Sequence, residues 1–477
     1  MLGTLAASLA IAQSQPGAAP PPAAAETGLE AWQAPTLTIT RYDEHYEALA
    51  DPSLRAAHWS GRFKYIPLDQ DAYLTTGLEL RARNETYRNN LWGDTGTPND
   101  SYLWLRAMPY ADLHVGSGAI GARGFVQPIL AYAVGVSPSA GPIDQTRADL
   151  LQGFADFRVG AETGATDAPG ATLRAGRQML SLGTERLVGT RYGPNVPLAF
   201  DGVRALVSMK GALLSVIAVR PVKPASGDFD DRIAHDKALW GGYATLPGIG
   251  AASSVDLYWL GYRNRAARFG NQTAHELRQS AGARFFGAEA GWHWNVEGVY
   301  QFGRFGGGPI SAWTLGTEIG HAFDASPLKP DATLRLNIVS GDRRRGDHLL
   351  GTFNALFPKG KYFGELSPVG PTNIISFNPR LAMTPMPSVT TSIAAMAYWR
   401  YSLADGVYDI PGNLIRAPGT STARFIGKEL EGTVAWQATP ELELAASLSA
   451  FAAGGFLRQT GPSRTIIMLG LEANFRF

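Results

Sequence analysis

From residue 73 onward the chain alternates polar and apolar residues in long runs, and many of the polar members are charged. In Tyr73–Tyr87, the residues Glu79, Arg81, Arg83 and Glu85 share one parity, while Leu74, Leu78, Leu80 and Ala82 share the other. A strand points successive side chains to opposite faces, so each run has one ionic and one aliphatic face. The pattern returns in Ser101–Val115, where Leu103, Leu105, Ala107, Ala111, Leu113 and Val115 oppose Arg106, Tyr110, Asp112 and His114. In Gly291–Gly303, Trp292, Trp294, Val296, Tyr300 and Phe302 oppose His293, Asn295, Glu297 and Gln301. Leu334, Leu336 and Ile338 likewise oppose Arg335 and Asn337, and Leu442, Leu444, Ala446 and Leu448 oppose Glu441, Glu443, Ser447 and Ser449.

A soluble sandwich would hide the apolar faces and show the ionic ones to water. Three features oppose that reading. The runs reach roughly 10–14 residues, whereas the mean strand has about five or six. Almost none is a continuous apolar stretch, as a doubly covered strand would be. Aromatic residues also gather near run ends on the apolar parity, at Trp292, Trp313, Trp399, Trp436, Phe475 and Phe477, as girdles at two membrane interfaces do. The expectation is an all-β fold: a transmembrane antiparallel β-barrel with lipid outside and water within.

Composition narrows the alternatives. Lys+Arg 42 against Asp+Glu 41 offers no basic surface for nucleic acid. The absence of Cys removes disulfides, thiolate nucleophiles and Cys-ligated metals. Beyond the N-terminus no apolar run approaches the ~18 residues of a membrane helix. At the N-terminus, MLGTLAASLAIA (1–12) is a short apolar run ending in Ala10-Ile11-Ala12, which fits signal-peptidase cleavage before Gln13. Residues 13–35 start with a Gln-, Pro- and Ala-rich stretch and read as a disordered linker; 36–72 form a periplasmic pre-barrel segment, and 73–477 the barrel.

Bacterial single-chain barrels have even strand numbers, short periplasmic turns and longer outer loops. Short connections fall near 116–118, 161–170, 210–211, 247–252, 287–290, 324–330 and 437–440. Longer ones fall near 88–100, 133–149, 179–199, 223–237, 264–274, 304–310, 341–372, 401–422 and 452–463. Strict alternation demands a strand at Asn373–Thr384, turning at Pro385-Met386-Pro387, which makes eighteen with both ends periplasmic. Dropping weakly patterned segments among 171–178, 238–246 and 373–384 would give sixteen. The loops 179–199 and 341–372 are expected to fold inward or cap the mouth.

On this register the lumen parity holds Glu79, Arg81, Arg83, Arg106, Asp112, Arg123, Asp156, Arg158, Arg174, Arg204, Arg278, Arg284, Glu297, Glu318, Arg335, Arg400 and Glu443. A wall rich in arginine favours anions, unless Asp and Glu on neighbouring strands neutralise it. In Ile467–Phe477, Ile467, Leu469, Leu471, Ala473, Phe475 and Phe477 make one parity wholly apolar with an aromatic last residue. This resembles the last-strand signal read by the outer-membrane barrel-assembly machinery.

Several stretches resemble the alginate export family of outer-membrane porins. They are RYDEHYEALADP (41–52) with KYIPL (64–68), GRQMLSLGTERLVGTR (176–191) with FDGVR (200–204), and GTFNALFPKGKYFG (351–364). With the terminal strand, the resemblance runs across 36–477. It implies an 18-stranded monomeric barrel whose Arg-lined constriction passes a polyuronate outward, with a periplasmic scaffold protein as partner. It also implies Arg81, Arg83, Arg123, Arg174, Arg177 and Arg204 near that constriction. Arg177 and Arg186 could instead anchor a loop folded into the lumen. The run Arg343-Arg344-Arg345, in the longest outer loop, reads as a site for an acidic polymer or lipopolysaccharide phosphates, or as a solvated loop.

Enzyme chemistry is missing. The eight histidines have no HExxH or other ligand spacing, and no GxSxG elbow, P-loop or helix-opening GxGxxG is present. Glu441 and Glu443 share a face, but without an apolar pocket to separate their acidities they read as lumen wall. The expectation is therefore no catalytic residue, metal or cofactor, and a passive outer-membrane channel for an anionic solute. A carboxylated polysaccharide such as alginate, moving outward, is the first reading; uptake of small organic anions is the second, and a barrel-embedded hydrolase the third.

Overall fold

A computed structural model describes residues 37–477 apart from 117, 162–167, 250–251, 271 and 345. The signal segment, the linker and Arg345 lie outside the described residues. Eighteen antiparallel strands form the wall. The first six are β1 (Ala72–Arg88), β2 (Asp100–Val115), β3 (Ile120–Val134), β4 (Thr146–Gly160), β5 (Gly170–Gln178) and β6 (Phe200–Met209). The next six are β7 (Ala212–Lys223), β8 (Lys237–Leu246), β9 (Ser253–Phe269), β10 (Gln272–Glu289), β11 (Trp292–Phe305) and β12 (Gly308–Ala322). The last are β13 (Asp331–Val339), β14 (Ile374–Met386), β15 (Val389–Arg400), β16 (Phe425–Gln437), β17 (Leu442–Ala453) and β18 (Ile466–Arg476).

The sheet closes on itself because β1 pairs on both sides: Arg81 stands opposite Arg106 of β2 and Asn474 of β18. Closure removes the edge and lets the strands' backbone groups bond within the sheet, which lipid requires. The weakly patterned segments are strands β5, β8 and β14, so the count is eighteen and not sixteen. Parity sorts the side chains inside out relative to a soluble protein. Leu80, Phe157 and Leu430 face outward at 43%, 54% and 59% exposure, while their chain neighbours Arg81, Asp156 and Glu431 are buried. Among the described residues no helix is long and apolar enough to cross a membrane.

One end carries the short connections, and the chain both enters and leaves the barrel there; by the usual asymmetry this end is periplasmic. Two connections at the other end are shorter than expected. Instead of loops over 264–274 and 304–310, β9 runs on to Phe269 and β11 to Phe305, with tight hairpins between them and their successors. Gly270 and Gly306 take φ of +56° and +55°, which suits such hairpins and which residues with a Cβ resist. Their glycines and arginines look like loop chemistry in the sequence because here the alternation is broken.

The longest loops turn into the bore. Leu180 and Val188 of 179–199 and Phe353, Phe357 and Val369 of 340–373 are buried in one apolar cluster. It includes the wall residues Phe200, Leu239, Tyr398 and Phe451, together with Phe456 and Leu457 of a short helix at Gly455–Thr460. From the opposite mouth, residues 37–64 fold back against the wall. Tyr42 meets Phe125 and Phe154 edge-on, and its hydroxyl donates to the Met179 carbonyl at 2.7 Å. The bore is thus narrowed from both ends, on a wall whose ionic side chains must find partners.

Candidate functional site

Six of the lumen arginines reach a carboxylate on an adjacent strand. Because partners stand side by side on one face, a charged pair needs only matching parity and register. Arg106 of β2 donates to Glu79 of β1 at 2.6 Å. Arg123 of β3 grips Asp112 of β2, and Arg174 of β5 holds Asp156 of β4 through two bonds of 2.8 Å. Arg284 of β10 reaches Asp256 of β9 at 3.0 Å, and Arg335 of β13 pairs with Glu318 of β12. Arg278 and Glu276 pair along β10 with both side chains enclosed.

A second group holds the inward loops. Arg81 donates to the carbonyls of Gly193 and Pro194, at 3.1 and 2.8 Å, and Arg106 reaches Pro194 at 3.2 Å while lying over the Tyr192 ring. Two adjacent guanidinium groups are thereby capped by loop carbonyls. Arg83 binds three carboxylates, Glu85, Glu472 and the loop residue Glu365. Burial alone would raise Glu365, but Lys361 and Arg83 overrule it and hold its carboxyl at about 2. Arg400 donates to the carbonyls of Leu403, Asp405, Ser421 and Ala423, fastening loop 401–424. Arg186 fastens its loop through Glu297 and the Tyr362 hydroxyl.

Three expected positions lie elsewhere or make weaker contacts. Arg158 sits at the short-turn end and donates to the Gly160 carbonyl at 2.6 Å. Arg204 faces the lumen with the Ser215 hydroxyl as its hydrogen-bond acceptor at 2.9 Å. Arg177 takes the outward parity of Leu173 and Ala175, where it binds Asp201 of β6. It is therefore on the outer wall and not near the constriction.

Two further cations with no ion-paired carboxylate lie on the β12–β14 side. Lys359, at the inward tip of loop 340–373, lies within electrostatic reach of Arg335, Arg186, Glu185 and Glu318. Arg380 of β14 is within electrostatic reach of Arg335 and of the carboxylates Glu431, Glu318 and Asp331. Neither Lys359 nor Arg380 forms an ion pair with a described carboxylate. Burial, and then Arg335, lower the Lys359 ammonium to about 8. Parity could have found Arg380, which shares a face with Asn378 and Ser376; Lys359 lies in a loop, which parity does not reach. At the periplasmic mouth, burial, and then Arg41, lower Lys64 to about 7, and its ammonium donates to the Tyr110 hydroxyl at 2.7 Å.

A closed barrel with an apolar outer wall and an arginine-rich interior defines an outer-membrane β-barrel of the channel class. The alginate export family model matches residues 72–466, and the chain belongs to that family. Solved structures share the fold. Pseudomonas aeruginosa OccK2 (OpdF) is 14% identical with a TM-score of 0.57, covering 84% of this chain and 97% of its own. The same protein in complex with glucuronate gives 13%, 0.56, 85% and 98%. Pseudomonas aeruginosa OpdK with vanillate gives 12%, 0.54, 84% and 98%. No curated protein matches this sequence.

Proposed function

We propose that this barrel passes carboxylated sugars, and that an alginate-like polyuronate moving outward is its cargo. The observation that carries the reading is the group Arg186, Arg335, Lys359 and Arg380, in which Lys359 and Arg380 have no carboxylate of their own. A cation already satisfied by Asp or Glu would have to break that pair to bind a solute; a spare one does not. Several weak sites of this kind let a carboxylate exchange water for guanidinium and still leave. The family's export of alginate and the glucuronate bound to OccK2 both involve uronates, which supports the choice of sugar acid over other anions. One chain closes the barrel, so a single copy suffices. The inward loops favour a second reading, uptake of single small anions such as sugar acids, because their apolar residues pack with the wall inside the bore.

Current blockade separates these readings. Single channels in a planar bilayer are exposed from the short-turn side to glucuronate, to uronate oligomers and to neutral maltose oligomers. Export predicts that the uronate oligomers block at lower concentration than glucuronate. The double variant Lys359→Gln, Arg380→Gln is expected to weaken that block by about tenfold, the loss of roughly 1.4 kcal/mol. Block by glucuronate alone would favour uptake. Equal block by maltose oligomers would contradict both.

A further inference from the structure

On the lipid side of β8–β11 an apolar groove of about 790 Å³ lies below a group of arginines. Its floor is Gly242, Ala244, Ala281, Ala283 and Gly298. A Cβ at Gly242 or Gly298 would meet nothing within 4 Å, so the missing side chains leave open space. Trp259, Ala281 and Tyr300 stand in one row across β9, β10 and β11, with the two rings exposed at 44% and 49%. Four residues further toward the long-loop end on the same strands come Arg263 and Arg304, opposite one another across Leu277. Arg265 lies in the irregular stretch between Asn264 and Ala267, and Arg268 stands opposite Thr273. Arg265, Arg268 and Arg304 are exposed, and Arg263 has an enclosed Nε without a hydrogen-bond partner. None of these four guanidinium groups pairs with a described carboxylate. By contrast Arg343, of the loop run expected to attract anions, is committed to Tyr401, donating to its hydroxyl at 2.6 Å and lying against its ring.

We propose that this face holds a phosphorylated, acylated saccharolipid of the outer leaflet, the lipid A part of lipopolysaccharide. Acyl chain fills the groove between Trp259 and Tyr300, and the phosphates meet Arg263, Arg265, Arg268 and Arg304. The charge is complementary, and the height is right: two-faced strands place this end of the apolar band at the outer headgroups. An anion there gains from several guanidinium donors at once.

The test uses the full chain in detergent micelles and bisphosphorylated lipid A, with adducts resolved by native mass spectrometry. Changing Arg263, Arg265, Arg268 and Arg304 together to Gln should weaken lipid A binding by about tenfold or more. Gly242→Leu with Gly298→Leu, which fills the groove and keeps every charge, should weaken it as well. Arg88→Gln with Lys428→Gln, on strands across the barrel, should leave it within about twofold of the parent. All variants carry outward changes, and their folding is checked by the shift in gel mobility between heated and unheated samples. Unchanged binding by the folded arginine variant would overturn the proposal. So would equal binding of dephosphorylated lipid A or of phosphatidylglycerol by the parent protein.

Discussion

Arg81 and Lys359 show why charge counting along a sequence misjudges a pore. Arg81 stands on the lumen parity, yet loop carbonyls occupy its guanidinium. Lys359 belongs to no strand, yet it brings a cation with no paired carboxylate to the lumen. Parity was enough to place Arg83, Arg106, Arg123, Arg174, Arg278 and Arg284 on the inner face. It could not say which of them are consumed, because each partner stands on another strand or loop and depends on register. Arg177 differs: it lies three residues after Arg174, and an odd step along a strand reverses the face, so its outward position was legible. The Lys359 ammonium, lowered to about 8, makes a pH prediction. Below that value it is charged and adds to the anion preference; above it the charge is lost. Anion-over-cation permeability should therefore fall between about one pH unit below and one above that value. Lys359→Arg, charged throughout, should flatten the profile, as read from reversal potentials. A parent channel whose selectivity is constant over that range would contradict the role given to Lys359.

At the level of elements, the strands were the most readable part. Each long dyad predicted a strand, and the demand for alternating turns and loops recovered β14 between the 340–373 loop and its neighbour. The hairpins after β9 and β11 were less legible because Arg263, Arg265, Arg268 and Arg304 interrupt the apolar parity above the lipid band. Interior loops are legible as lengths and as candidates to fold inward, but not in how they pack. The packing of Phe353, Phe357 and Val369 against the wall comes from contacts far apart in the chain. That packing has a measurable consequence. Replacing 355–366 by a short Gly-Ser link removes Lys359 and the loop side of the Arg83–Glu365 pair, leaving Glu85 and Glu472 to hold Arg83. Single-channel conductance should rise by about twofold or more as the bore widens. An unchanged conductance would mean that this loop does not narrow the conducting path.

The whole molecule follows from one inversion. Apolar residues face outward where water would disfavour them, and ionic residues face inward where lipid cannot reach. Closure through β1 and β18 turns that inversion into a conduit, and the inward loops and the 37–64 segment set how narrow it is. Fold class and family resemblance are legible in the sequence, since both are properties of pattern; the strand number is legible only as a choice between eighteen and sixteen, because β5, β8 and β14 are weakly patterned. The extent of the narrowing is not legible, since it depends on how the inward loops and the 37–64 segment pack against the wall. The most direct test of the account is the reversal potential of the purified protein in a planar bilayer under a potassium chloride gradient. An anion-preferring conduit gives discrete conductance steps and a reversal potential displaced toward the chloride equilibrium value. Absence of steps, or displacement toward the potassium value, would contradict it.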